Sequence, residues 1–168
     1  MNAKAKEYID KFQLIAHPEG GYFSEVYRSE EKISGDHLPV RYGTSRSFST
    51  SIYFLLEGNQ ISTLHRLKSD ELWHFYDGSA IDIYIIDEDG NLNKTRLGNN
   101  INEGETFQIV VKNNTWFGAE LIDKSSFALI GCTVAPGFDF NDFELAKRDD
   151  LIKKYPDLEE IIFKLTKR

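Results

Sequence analysis

The sequence predicts an all-β sandwich or barrel with a helix at each end, on three observations. The middle of the chain is a series of short apolar runs separated by turn residues, and these runs are rich in Ile, Val, Tyr and Phe, which suit a pleated, half-buried surface. Helical periodicity is confined to the two ends. The gaps between the runs are too short for the crossover helices that a parallel sheet requires.

In chain order, Ala5, Tyr8, Ile9, Phe12 and Ile15 recur at helical spacing, which predicts a helix over about 3–16. His17-Pro18-Glu19-Gly20-Gly21 ends it, because proline cannot continue a helix and paired glycines permit a sharp turn. His17 reads as a capping residue of that turn. Ser29–Arg46 is polar, carries Gly and Pro, and reads as a long surface loop. Strand-like runs follow at Ser51–Leu56, Glu71–Tyr76, Ile81–Asp87, Thr106–Val111 and Phe127–Val134, and Asp89-Gly90 is a strong hairpin signal. Leu158, Ile161, Ile162 and Leu165 restore the helical period after Pro156, within a helical tail over about 143–167.

Composition excludes several functions. The chain has 168 residues and a net charge of -7, which argues against a nucleic-acid partner or a polybasic membrane patch. No apolar run approaches the roughly 18 residues of a membrane span, and the N-terminus lacks a signal-peptide core, so a cytoplasmic location is expected. One cysteine, Cys132, rules out an internal disulfide and reads as a buried, inert thiol. The length suits a single domain, and the 22 aromatic residues need a core or a pocket wall.

Chemistry concentrates in residues 58–78. Strand alternation puts His65 and Leu67 on one face, and Glu71, Trp73 and Phe75 on one face of the next strand; Leu72, His74 and Tyr76 take the other. If His65 and Glu71 both face inward, an imidazole and a carboxylate share the barrel interior. Such a pair could ligate a metal, carry out general acid/base work or orient a substrate. A buried structural His–Glu hydrogen bond, or two exposed residues near a turn, are the alternatives.

Gly58, His65, Glu71 and Gly78 stand in the order of the first cupin motif. Together with His17-Pro18-Glu19-Gly20-Gly21-Tyr22-Phe23, Asp70-Glu71-Leu72-Trp73-His74-Phe75, Thr115-Trp116-Phe117 and Val134-Ala135-Pro136-Gly137-Phe138, they make the chain resemble the cupin-5 branch of the cupin superfamily over about residues 5–148. The resemblance implies a double-stranded β-helix (a jelly roll) over about 20–140, a pocket inside it and a homodimer. It also implies a likeness in fold to dTDP-keto-sugar epimerases. Two usual metal ligands are replaced, one by Leu67 and one by Trp116.

The expected pocket is centred on His65 and Glu71, with Tyr53, Trp73, His74, Trp116 and Phe117 as its walls and Trp116 at its mouth. The expected occupant is a small polar organic molecule, a sugar or nucleotide-sugar. Binding of that molecule is the leading reading, with metal-free epimerase or isomerase chemistry open beside it: His65 as base, Glu71 orienting it, and Tyr53 or Tyr76 supplying the second proton. The cofactor stays open: a divalent metal would have His65 and Glu71 to hold it, and His74 as well only where a bulge turns both Glu71 and His74 inward. A reduced-ligand metalloenzyme and a non-catalytic binding module are the alternatives.

Overall fold

The computed structural model describes residues 1–167. In chain order its elements are α1 (Ala3–Phe12), β1 (Ile15–Ala16), β2 (Tyr22–Arg28), β3 (Lys32–Ile33), β4 (Arg46–Ser47), β5 (Thr50–Glu57), β6 (Ile61–Leu67), β7 (Asp70–Gly78), β8 (Ile81–Ile86), β9 (Leu92–Leu97), β10 (Gln108–Val111), β11 (Trp116–Leu121), β12 (Phe127–Ala135), β13 (Phe143–Leu145), α2 (Arg148–Lys154) and α3 (Glu159–Lys164). None of the described helices is long and apolar enough to cross a membrane.

Two antiparallel sheets lie face to face, in the order β1-β2-β5-β12-β7-β10 and β13-β6-β11-β8-β9. This is the expected jelly-roll arrangement. Alternation sorts each strand as predicted. Phe54 and Leu56 of β5, Trp73 and Phe75 of β7, Ile81 and Ile83 of β8, and Ala128, Ile130 and Cys132 of β12 form the core between the sheets. Intervening residues face outward and are covered by the helices. On the first sheet, Ala5 and Leu14 bury Leu55, Phe127 and Leu129. On the second, Leu151, Tyr155, Ile162 and Leu165 bury Leu64, Ile86 and Trp116.

Three segments depart from the sequence reading. Asn2 caps α1 by accepting from the backbone N–H groups of Lys4 and Ala5, but the helix stops at Phe12 because Gln13 is left-handed, with φ 54°. Ile15 and Ala16 then pair with Phe23 and Tyr22. Residues 143–145 are a strand and not part of a helical tail: Phe143 pairs with Leu67 and Leu145 with His65. The expected loop over 29–46 contains β3 and two 3-10 turns, and it ends on Arg46, a buried residue bonded to Asp142.

The turn His17–Gly21 is pressed against the sheet. Gly20 and Gly21 have φ of 119° and 69°, and a Cβ on either would collide with the backbone oxygen of Ile61 or Leu55. Only glycine fits there. The tight turn swings the side chains of His17 and Glu19 between the sheets, at one end of the barrel.

Candidate functional site

That end of the barrel encloses a cavity of about 300 Å³. Its polar groups are His17, Glu19, His65 and Glu71 within, and Glu25, Arg28 and Asp139 nearer the surface; Phe23, Phe54, Phe138, Phe140 and Phe143 supply aromatic walls. The volume is at the low end for ligand pockets and suits a molecule of one ring.

His65 comes from β6 and Glu71 from β7, so the second sheet contributes one and the first sheet the other. The Nδ1 of His65 is 2.7 Å from the Thr63 carbonyl, so it carries the proton and donates it there. In the neutral ring Nε2 is therefore a bare acceptor, and it lies 3.2 Å from Oε2 of Glu19. Oε1 of Glu19 accepts from the Ser62 hydroxyl at 2.8 Å. His17 Nδ1 accepts from the Glu19 backbone N–H at 3.3 Å and lies 3.5 Å from Glu19 Oε2. Glu19 thus sits between two imidazole lone pairs.

Burial sets the charge of this group. It raises the pKa of Glu19 and lowers those of His65 and His17, although each histidine feels a carboxylate that opposes the shift. Each shift favours the uncharged form, and a proton on Glu19 would be donated to Nε2 of His65. Burial also pushes Glu71 up to about 7, against the opposing pull of His65 and with a further push from Glu19. Oε2 of Glu71 is buried without a hydrogen-bond partner, as are Nε1 of Trp73 and Oγ1 of Thr63.

The other expected pocket residues lie elsewhere. Trp73 and Phe117 are core residues packed behind the cavity, with the Phe117 ring centroid 4.1 Å from that of His65 and Trp73 6.0 Å from both Phe54 and Phe117. His74 is on the outward face of β7, 3.3 Å from the Thr133 hydroxyl. Tyr53 also faces outward, stacked on Phe12 at 4.5 Å. Trp116 is not at a pocket mouth: it is buried beneath the C-terminal helices, with the Arg66 guanidinium 4.6 Å above its ring. The true mouth is built by Phe138, Phe140 and Phe143. Glu19 and His17 were hidden in the sequence because their segment reads as a turn; the glycine pair that aims them was the available signal.

A model of the cupin superfamily, the DUF985 group, matches residues 6–146. The chain belongs to the cupin superfamily. It is 30% identical over 158 residues to the uncharacterized protein YML079W of Saccharomyces cerevisiae, covering 88% of this chain and 78% of that one. Among solved structures, this cupin resembles protein SO0799 from Shewanella oneidensis (TM-score 0.88, 35% identity, 99% of this chain and 98% of that one). It is similarly close to a hypothetical protein from Leishmania major (TM-score 0.87, 34% identity, 98% and 99%). Oxalate decarboxylase from Bacillus subtilis shares the fold alone, at 16% identity and a TM-score of 0.56, with 89% of this chain spanning 36% of that one.

Many cupins hold a metal on the first-motif side chains, and the donors of this cupin do not fit one. Leu67 offers no ligand atom, His65 spends Nδ1 on Thr63 and turns Nε2 to Glu19, and no three His, Cys, Asp or Glu side chains among the described residues are arranged to hold an ion.

Proposed function

We propose that the cavity binds a small polar organic molecule of about one ring and moves a proton at a carbon beside its carbonyl, as an epimerase or isomerase without a metal. The observation that carries this reading is the placement of two proton-carrying groups on facing sheets of one cavity: Glu71, with an unpartnered oxygen, on β7, and the His65–Glu19 pair beside β6. A ligand between them meets both.

The division of labour differs from that read in the sequence. Glu71 is the free acid/base, with a pKa of about 7 that suits proton exchange near neutrality. It would break the C–H bond and take the proton on its carboxylate, while the electron pair moves onto the carbonyl oxygen. The Glu19–His65 pair would deliver a proton to the other face of the carbon, giving the epimer. Glu19, and not Glu71, orients His65.

The test is to incubate purified protein with ring-sized keto compounds, keto-sugars included, in deuterium oxide and follow the α-carbon by NMR. Deuterium should appear there, and Glu71→Gln should slow its appearance by about a hundredfold or more. A compound that binds but never exchanges would leave a binding module and overturn the catalytic reading.

A further inference from the structure

The cavity's charge pattern points to a narrower ligand class. Four carboxyl groups line it, Glu19, Glu25, Glu71 and Asp139, against a single arginine, Arg28. That arginine is already committed. Its Nε and Nη2 lie 3.0 and 2.6 Å from the two oxygens of Glu25, and Nη1 donates to the Phe138 carbonyl at 3.0 Å. An incoming phosphate or carboxylate would find no free guanidinium fork, and would have to approach Asp139 and Glu71. Asp139 is held below the usual carboxylate range, mainly by the Asn141 backbone N–H, so it stays ionised at the mouth.

Two further features suit the opposite charge. Phe138, Phe140 and Phe143 pack edge-to-face at the mouth, with centroids 5.0 to 6.2 Å apart, and all three border the cavity. Aromatic faces attract cations and not anions. Deeper in, Glu71 borders the cavity and is only 7% exposed; its Oε2 makes no well-formed hydrogen bond, although the Trp73 indole and the Cys132 thiol face the carboxyl group. A ligand N–H would give this carboxyl group a charged partner that neither of them provides.

We propose that the ligand of this cavity is a small amine-bearing cation, held by Glu71, Asp139 and the three mouth phenylalanines, and that phosphate- and carboxylate-bearing molecules are rejected. The inference rests on the reading that this cavity is the ligand site and narrows the substrate class. It disfavours nucleotide-sugars, which carry phosphates. It also gives the cation a part in the chemistry. The groups facing Glu71 are His65 from β6, Glu19 from the tight turn, and Cys132 and Trp73 from the first sheet. None of them brings a fixed positive charge, so an ammonium ligand would be what ionises Glu71 into its basic form.

Calorimetric titration with cyclohexylammonium, cyclohexanol and cyclohexanecarboxylate, which share one ring and differ in charge, tests the proposal. Cyclohexylammonium should bind about tenfold or more tighter than cyclohexanol, and the carboxylate should not bind. Glu71→Gln and, independently, Asp139→Asn at the mouth should each shrink the ammonium preference; the latter guards against a folding defect in the former. Equal or reversed affinities in the unmodified protein would overturn the amine inference, and so would a preference untouched by both substitutions. If none of the three binds while keto compounds still exchange deuterium, the amine inference alone falls. If neither binding nor exchange occurs, the proposed function falls with it.

Discussion

Nε2 of His65 and Oε2 of Glu19 lie 3.2 Å apart, with both residues almost fully buried, so a proton between them would be shared out of reach of water. The Thr63 carbonyl fixes the tautomer of His65, and Ser62 holds the other oxygen of Glu19. Glu19→Gln can keep both contacts, since its amide N–H can donate to Nε2 and its oxygen can accept from Ser62. It should therefore unfold in urea close to the unmodified protein while losing α-proton exchange. Glu19→Ala strands Nε2 and the Ser62 hydroxyl, and should cost roughly 1–3 kcal/mol for each group left unpaired. Equal destabilisation by Gln and Ala would sink the shared-proton account.

Glu71 makes stability depend on pH in a defined direction. Its folded pKa is about 7, against an ordinary value of 4.5. The folded state therefore binds more protons than the unfolded state between those values. The stability this contributes is fully present below about pH 4.5 and is lost as pH rises through 7. At about 1.4 kcal/mol per pKa unit, the full swing is roughly 3 kcal/mol. Glu71→Gln has no proton to lose, so its stability relative to the unmodified protein should rise between pH 5 and pH 8. Urea midpoints across that range check this; a constant difference would show that Glu71 titrates normally.

How much of this was legible in the sequence follows from what each residue's environment depends on. Strand alternation is a local property, so it put Glu71 and His74 on opposite faces of β7, but it left open which face is inward, and His74, expected as a pocket wall, lies on the outer one. It could not tell the core from the cavity along one inward row, which is why Trp73 and Phe117 read as pocket walls although they pack behind it. Glu19 reaches His65 across a sequence separation that no local period reports. Trp116 was misplaced because its outward face looks exposed until the C-terminal helices fold back over it. No local pattern shows how polar Ser29–Arg46 can end on a buried residue either: the partner, Asp142, lies 96 positions away.

Trp116 supplies a clean separation of stability from binding. It packs against Leu64, Ile86 and the C-terminal helices, and Arg66 lies over its ring. Trp116→Ala should cost roughly 3–5 kcal/mol through the cavity it leaves. At a temperature where the variant remains folded, its affinity for any cavity ligand should match that of the unmodified protein. A selective loss of affinity without loss of stability would return Trp116 to the pocket.

Arg46 and Asp142 tie the mouth to the barrel. Nε and Nη2 of Arg46 each lie 2.6 Å from an oxygen of Asp142, and the remaining guanidinium bonds go to Tyr42, Thr44 and Ser45. This clamps the segment before β5 to the turn between Phe140 and Phe143, two of the mouth rings. Arg46→Met leaves the Asp142 carboxylate buried with only Lys68, at 3.3 Å, as a charged partner. Breaking one side of a buried pair should cost roughly 3–5 kcal/mol, whereas Arg46→Met with Asp142→Leu removes both charges and should recover most of that. Both variants lose the clamp itself, so both should bind cavity ligands more weakly even where the double variant melts near the unmodified protein. Parallel urea melts and ligand titrations on the two variants decide it: full affinity in the double variant would mean that the mouth is held by its own aromatic packing and not by this ion pair.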